Sequence, residues 1–546
     1  TEMTGGTGMM AIVQTPMDAG IRVAVSGDAF EAGPYWRSVK HTFGYTRRVH
    51  YRLFSSGGYV AMCKYYRGML EDRDAFVTLR EKEETIPDVA KLIGAMDVHF
   101  RSAQVSCLEQ LEALGVDKMI VHGNGDATYS RTLNEKGHLS SRYRVYTDIF
   151  PEGTRGSPEL LEGYPDDAYT LEDGSMIKGL VWTDAIKGTY RCSHHQLRVM
   201  KKYVPSQIVD NDLDAVFLDV ITASPPTECW HEDHPLDRRA DTDYRRQCLD
   251  YATSLGLVVG SEDGYDWSSQ HLHYLEGMQL PKRWGRVPGA TIGNYRDDIT
   301  LGRTFIDVAM NENVRVPLWD LVYHDAVVTT WRWNITPNRF DNTKWWDKLD
   351  LFLMLNGAIP IFAVDATIVS GKGDRILQSF EQVCTWHEKI GWDELVDHGA
   401  LTADRTVQLS TYSSGWNIVV NFSESVPHDF DGEVTIEPFG YHTFRETTTN
   451  VAANGSGSPL RRGAVSVHSR NRSVLFTFCF PERSQSAKAL RIYDVEGRII
   501  KQWRSLGVTG GKSAVRWHAG AQADGAYCYE VTGSSQVQAG MILLTR

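Results

Sequence analysis

The sequence has no apolar run of the roughly 18 residues that a bilayer-spanning helix needs, so no membrane span is expected. It also lacks any excess of positive charge: 57 Lys and Arg face 69 Asp and Glu, for a formal charge of −12. That balance disfavours a polyanionic partner such as nucleic acid or an anionic membrane. Eight cysteines occur without a single C-x-x-C pair, so neither a zinc site nor a redox motif is signalled, and most read as free core thiols. A Cys229–Cys248 bridge stays open. The first residues, Thr1-Glu-Met-Thr-Gly-Gly-Thr-Gly, show neither an initiator Met nor a signal peptide, and the expectation is that upstream sequence has been removed.

What the chain does have is length and aromatic surface. Its 546 residues imply two or three domains, and 42% hydrophobic content is ample for a large core. The 15 Trp and 24 Tyr suit sugar-stacking platforms, though large barrels also bury many rings. The most informative pattern is a pair of apolar runs, Ala215-Val-Phe-Leu-Asp219 and Leu257-Val-Val-Gly-Ser-Glu262, that each end in an acid. Neither has a helical period, as expected of strands buried on both faces. Between them, the segment from Asp241 to Leu255 reads as a capped amphipathic helix. A right-handed βαβ crossover then puts both acids on one rim, where (β/α) barrels keep their chemistry.

The fold expected is α/β: a (β/α)8 TIM-like barrel flanked by β-sandwich domains. Candidate barrel strands are Leu92–Phe100, Lys118–Val121, Tyr143–Phe150, Ala215–Ile221, Leu257–Glu262, Tyr274–Met278, Val316–Tyr323 and Ile359–Val364, with helical stretches between most of them. Residues 1–66 read as the remainder of an N-terminal β-sandwich, 67–398 as the barrel, 399–484 as a β-sandwich and 485–546 as a C-terminal immunoglobulin-like β module. The last segment resembles the immunoglobulin-type tails of secreted bacterial enzymes, which implies a secreted or periplasmic protein.

Two carboxyls on adjacent strand ends suit glycoside hydrolysis. Its oxocarbenium-like transition state needs a negative charge near the anomeric carbon and a proton for the leaving oxygen. Asp219, short and rigid, is assigned as nucleophile and Glu262 as acid/base, the acid kept protonated by burial or by its neighbour. The bland alternative is that either acid caps a helix or pairs with an Arg. In His122-Gly-Asn-Gly-Asp126 the glycines let a ligand approach and Asp126 can bind sugar hydroxyls, with a helix cap as the competing reading. Tyr323-His324-Asp325, at the end of the expected seventh strand, can orient hydroxyls, and Trp331 of Trp331-Arg-Trp can stack on a sugar. Asp148 is as readily an ion-pair partner. His231-Glu-Asp-His234 has metal-like spacing but reads as a solvated loop. Glu262, Asp263 and Asp266 are candidates for a hard cation such as Ca2+.

These stretches resemble the endo-α-N-acetylgalactosaminidase-related group, and most closely glycoside hydrolase family 129. The residues that carry the likeness are Tyr45-Thr-Arg-Arg with Gly57-Gly-Tyr, Leu92-Ile-Gly-Ala, Val216-Phe-Leu-Asp219, Asp241-Thr-Asp-Tyr-Arg-Arg, Val259-Gly-Ser-Glu262, and Tyr323-His-Asp with Thr330-Trp-Arg-Trp. The resemblance implies a retaining exo-enzyme that releases α-linked N-acetylgalactosamine (GalNAc) from Ser/Thr of mucin-type glycans. It implies Asp219 as nucleophile, Glu262 as acid/base and Asp126 as a substrate-binding acid. No cofactor is implied for the chemistry, and a structural Ca2+ is compatible with it. The partner is a glycan or glycopeptide, and the oligomeric state is not indicated. Two competing readings are an α-galactosidase or other α-glycosidase on the same barrel, and a non-catalytic carbohydrate-binding protein.

Overall fold

The computed structural model describes residues 6–27, 29–101, 104–154, 156–183, 186–280, 299–332, 335–432 and 434–445, and strands between 465 and 544. At its centre is an eight-stranded parallel sheet: β1 (Met96–Phe100), β2 (Met119–His122), β3 (Leu139–Arg144), β4 (Ala215–Leu218), β5 (Val258–Glu262), β6 (Tyr274–Glu276), β7 (Val328–Thr329) and β8 (Ile361–Val364). Strands pair in chain order from β1 to β7, and β8 pairs with β1. The two edge strands are linked by an isolated parallel bridge, Thr330 to Ile359, where Ile359 N–H donates to Thr329 O at 3.0 Å.

Every residue of β2, β4, β5 and β8 is buried, as the unbroken apolar runs predict for strands covered on both faces. The crossovers include α1 (Gln104–Leu114), α2 (Ala127–Glu135), α3 (Ser193–Gln207), α4 (Arg238–Ser254), α5 (Thr343–Asn356) and α6 (Ala366–Ser379). Asp237 caps α4 by accepting from Ala240 N–H, so the helix starts three residues before the expected Asp241. Asp241 is instead buried inside α4, paired with Arg245 at 2.9 Å. Arg245 in turn donates to Ser224 O at 2.7 Å, which fixes the loop that follows β4.

Several expected boundaries move. The third strand lies at Leu139–Arg144, because its Ser140, Ser141 and Arg142 hide the apolar pattern, while Asp148–Ile149 joins an antiparallel sheet with Ile186–Tyr190 and Lys178–Thr183. The expected seventh strand, Val316–Tyr323, is corrected. Pro317 opens helical turns there, with Leu321 N bonded to Pro317 O and Tyr323 N to Trp319 O, so Asp320–Tyr323 is helix and β7 comes later.

Among the described N-terminal residues, two antiparallel ribbons form rather than facing sheets: Gly8–Val13 with Val49–Phe54, and Ala19–Ser26 with Ala29–Trp36. A four-stranded sheet begins at Leu395, four residues before the expected domain boundary, and includes Val407–Tyr412, Trp416–Asn421 and Tyr441–Arg445. In the tail, Ser473–Cys479 pairs with Lys512–His518, so one β unit crosses the expected division at 484/485.

Candidate active site

Successive residues of a strand face opposite sides of the sheet. Val216, Leu218, Val259 and Leu275 pack in the main apolar cluster, whereas Ala215, Phe217, Val258 and Tyr274 belong to a separate inner one. Extending the inner alternation to the C-terminal ends of β4, β5 and β6 places Asp219, Glu262 and Glu276 on the inner face. The same period puts Asp97, His99, His122 and Tyr143 there. Gly260 leaves room for this crowding, since a Cβ would lie 2.1 Å from the Tyr274 ring.

Asp219 and Glu262 are neighbours, because the register sets Leu218 opposite Ser261, one residue before each acid. Both are buried, at 8% and 7% exposure. Ser261 Oγ donates to Leu218 O at 2.6 Å, and Thr222 Oγ1 reaches Glu262 O at 2.9 Å and Asp263 O at 3.0 Å, so the two strand ends are tied together. The residue after each acid, Val220 and Asp263, has a φ of +67° and +51° respectively. Left-handed backbone is costly, above all for a β-branched valine, and survives only where the surroundings hold it. Here it turns the chain immediately after each carboxyl.

The two acids have different surroundings. The Tyr143 hydroxyl donates to Asp219 Oδ2, which favours the charged form. Arg332 donates to Glu262 Oε1, and its Nη1 lies 3.1 Å from Asp263 Oδ2. The Asp219 and Glu262 carboxyls are within hydrogen-bonding reach of each other. Asp219 Oδ1 is buried and meets no donor among the described residues, so a proton on Glu262 can satisfy it. Burial, and then the charge of Asp219, pushes Glu262 up to about 8 against the pull of Arg332. Burial also raises Asp219, but the hydrogen bonds from Tyr143 and Glu262 oppose the rise. At about 8 Glu262 keeps its proton near neutrality, while the Tyr143 hydrogen bond favours the charged form of Asp219.

Asp148, pushed up to about 6 by burial, and Tyr190, raised by burial, both feel the charge of Glu262. Asp148 has no ion-pair partner within 4 Å among the described residues, so it is a buried acid beside the pair rather than half of a salt bridge.

A second cluster occupies the same inner face. His99 Nε2 lies 2.9 Å from Glu276 Oε1, and His122 Nε2 lies 3.0 Å from Asp97 Oδ1 and 3.4 Å from Glu276 Oε1. The two imidazoles stack with centroids 4.2 Å apart over Phe217. A cavity of about 300 Å³ opens above them, lined by His99, Phe100, Arg101, His122, Gly123, Asn124 and Tyr143. Branched apolar residues usually fill this layer of a barrel, so four polar groups here are exceptional. The donor atoms of Asp97, His99, His122 and Glu276 lie within 4.8 Å of one another, and among the described residues Asp97 Oδ2, His122 Nδ1 and Glu276 Oε2 find no hydrogen-bond partner. Two imidazoles and two carboxylates fit a divalent cation, and the nitrogen donors suit a transition metal better than Ca2+. The acids first considered for Ca2+ are not gathered: Asp263 pairs with Arg332, while Asp266 accepts from Tyr66 at 3.1 Å.

The other expected substrate contacts divide. Asp126 stays at the C-terminal rim, but its Oδ1 caps α2 by accepting from Tyr129 N–H at 3.0 Å. Tyr323, His324 and Asp325 precede β7 and so lie at the opposite end of the sheet, where the Asp325 carboxylate pairs with Arg67 and both His324 nitrogens face backbone carbonyls. Trp331 is fully buried, with Arg315 over its ring, and cannot stack on a sugar. Trp333 lies outside the described residues. Residue reading missed Arg332, one position from the tryptophan it favoured, as well as Tyr143, His99, Asp97 and Glu276. Period-two alternation in Met96-Asp-Val-His-Phe100 was the available signal for Asp97 and His99.

Among the described residues no helix is long and apolar enough to cross a membrane. The profile of the glycosyl hydrolases related to GH101 family, GH129, matches residues 131–287 and 287–411. The fold is similar to that of α-N-acetylgalactosaminidase NagBb from Bifidobacterium bifidum. In its GalNAc complex that enzyme is 22% identical, with a TM-score of 0.61 over 80% of this chain and 74% of the other. Its ligand-free form gives 22% identity and a TM-score of 0.60 over 77% and 73%. A search of curated proteins finds no match.

Proposed function

As the chain belongs to glycoside hydrolase family 129 and is a glycoside hydrolase, we propose that it releases α-linked GalNAc from Ser/Thr of mucin-type glycans with retention of configuration. The observation that carries the mechanism is the placement of two buried carboxyls at adjacent strand ends, with Glu262 pushed up to about 8. An inverting enzyme separates its carboxyls by roughly 6.5–9.5 Å to admit water, whereas a retaining one keeps them about 5 Å apart. The directly adjacent strand ends that carry Asp219 and Glu262 support the shorter, retaining separation.

Asp219, held anionic by the Tyr143 hydroxyl, attacks the anomeric carbon as Glu262 protonates the departing oxygen. The glycosyl–Asp219 ester is then opened by water deprotonated at Glu262, which restores one proton on the pair. Arg332 keeps Glu262 oriented and limits the rise of its pKa. A divalent cation on Asp97, His99, His122 and Glu276 would supply positive charge and an open coordination position for a sugar oxygen. The preference for GalNAc rests on the family and on the likeness to NagBb, and an α-galactoside substrate is the alternative within the same chemistry. Ring closure into a complete (β/α)8 barrel is part of the proposal, supported by the Thr330–Ile359 bridge.

Turnover of p-nitrophenyl α-GalNAc, α-galactoside, β-galactoside and β-GlcNAc, with proton NMR of the first-released sugar, tests the reading. The expected result is α-GalNAc as best substrate and α-GalNAc as first product. Preference for α-galactoside overturns the sugar, and a β-anomer released first overturns retention.

A further inference from the structure

Outside the acid pair, the structure assembles a thiol–imidazole cluster that local spacing did not signal. Cys192 precedes α3 at the end of the insertion that follows β3, whereas Cys229 and His234 come from the loop between β4 and α4. All three are buried, at 0%, 0% and 3% exposure, and their donor atoms lie within 4.8 Å of one another. Cys229 therefore has Cys192 as its thiol neighbour, and Cys248, the partner left open by the sequence, is a separate free buried thiol. The loop carrying Cys229 is pinned on both sides, since Cys229 and Leu236 exchange backbone hydrogen bonds of 3.0 Å.

The histidine is already oriented as a ligand. His234 Nε2 donates to Asp166 O at 3.0 Å, which leaves the Nδ1 lone pair directed at Cys229 Sγ, 3.4 Å away. A ring N–H anchored on a carbonyl is the usual support for a metal-bound imidazole. The His195 ring, outside that three-donor set, has its centroid 4.6 Å from that of His234, and its Nε2 is buried without a hydrogen-bond partner among the described residues.

We propose that Cys192, Cys229 and His234 form a structural zinc site, with the neighbouring His195 ring turning in to complete the coordination. Two thiolates and imidazoles match the soft-to-borderline preference and closed tetrahedral coordination of structural zinc. Binding releases the two thiol protons to solvent and joins the insertion to the loop after β4, whose first residue is Asp219. Tyr190, which packs on this cluster and feels the charges of Asp219 and Glu262, connects the staple to the acid pair. The site is independent of the sugar assignment.

The test uses the intact chain purified without chelator. Elemental analysis is expected to find zinc, and Co2+ exchange to give a thiolate-to-cobalt charge-transfer band with tetrahedral d–d absorption. That band separates this site from the thiol-free Asp97 cluster and must persist in Glu276→Gln. Cys192→Ser is expected to lose the band, and Cys229→His to retain bound metal and the thermal midpoint even where Cys229→Ser fails to fold. A Cys192–Cys229 disulfide in the peptide map, or a chain that takes up Co2+ without the thiolate band, overturns the proposal.

Discussion

The two ends of the central sheet treat buried charge in opposite ways. At the N-terminal end, Arg67 meets Asp325 through two contacts of 2.5 and 2.9 Å, and Lys82 Nζ donates to Ser269, Leu272 and Ala326 carbonyls at 2.6–2.7 Å. At the C-terminal end, Asp219 Oδ1, Asp148 Oδ1, Asp97 Oδ2 and Glu276 Oε2 lack hydrogen-bond partners among the described residues. Buried polar groups are normally satisfied, so those that are not mark a place where something else is bound or a proton is moved. The matched end holds the structure together, and the unmatched end carries the proposed acid pair.

The contrast breaks most decisively at the nucleophile. Asp219→Asn is expected to lower kcat/KM on the best α-glycoside by on the order of 10^4-fold or more while leaving the unfolding midpoint near wild type. Substantial residual turnover in purified Asn variant would end the assignment. Glu262→Gln comes next, with a loss of about 10^2–10^4-fold that is greatest for poor leaving groups. It should also flatten a stability slope. Between the ordinary carboxyl range and about 8 the native Glu262 holds a proton that the unfolded chain releases, so wild-type stability falls as pH rises through that window. Denaturant unfolding at several pH values reads the difference.

At the other end, Asp325→Ala strips the buried Arg67 of its two-contact carboxylate, leaving Glu71 on Nε and the Val322 carbonyl on Nη1, and should cost up to about 3–5 kcal/mol in denaturant unfolding. Activity per folded molecule should change by no more than about twofold, and a collapse of kcat in folded protein would erase the distinction between the two ends. The smallest effect is expected at Arg332. Removing this cation in Arg332→Ala lets the Glu262 pKa rise further, so the alkaline limb of the kcat/KM profile should move above 8 by about one unit. A shift to lower pH would show that Arg332 does not oppose protonation of Glu262.

Legibility in the sequence followed the range of the interaction. Strands β2, β4, β5 and β8 were readable because covered strands demand unbroken apolar runs, and Asp219 and Glu262 because each closes such a run. β3 was shifted because Ser140, Ser141 and Arg142 carry little apolar signal, and β7 was misplaced because Val316-Pro-Leu-Trp319 is apolar yet begins a helical turn. Trp331 looked like a platform since aromatic type says nothing about exposure, while the neighbouring Arg332 reaches the acid across a separation of 70 residues. His231-Glu-Asp-His234 read as a solvated loop because Cys192, the residue that gives His234 its setting, lies in another segment.

By itself the sequence determined the alternating architecture, the two acids at consecutive strand ends and the family, because these are written in local period and short motifs. Only the tertiary structure decided that burial raises Glu262 beside Asp219, that Arg332 and Tyr143 tell the two carboxyls apart, and that His99, His122, Asp97 and Glu276 converge beneath them. Burial and Coulomb interactions depend on distance in space, and residues far apart in the chain acquire that distance only when the sheet forms.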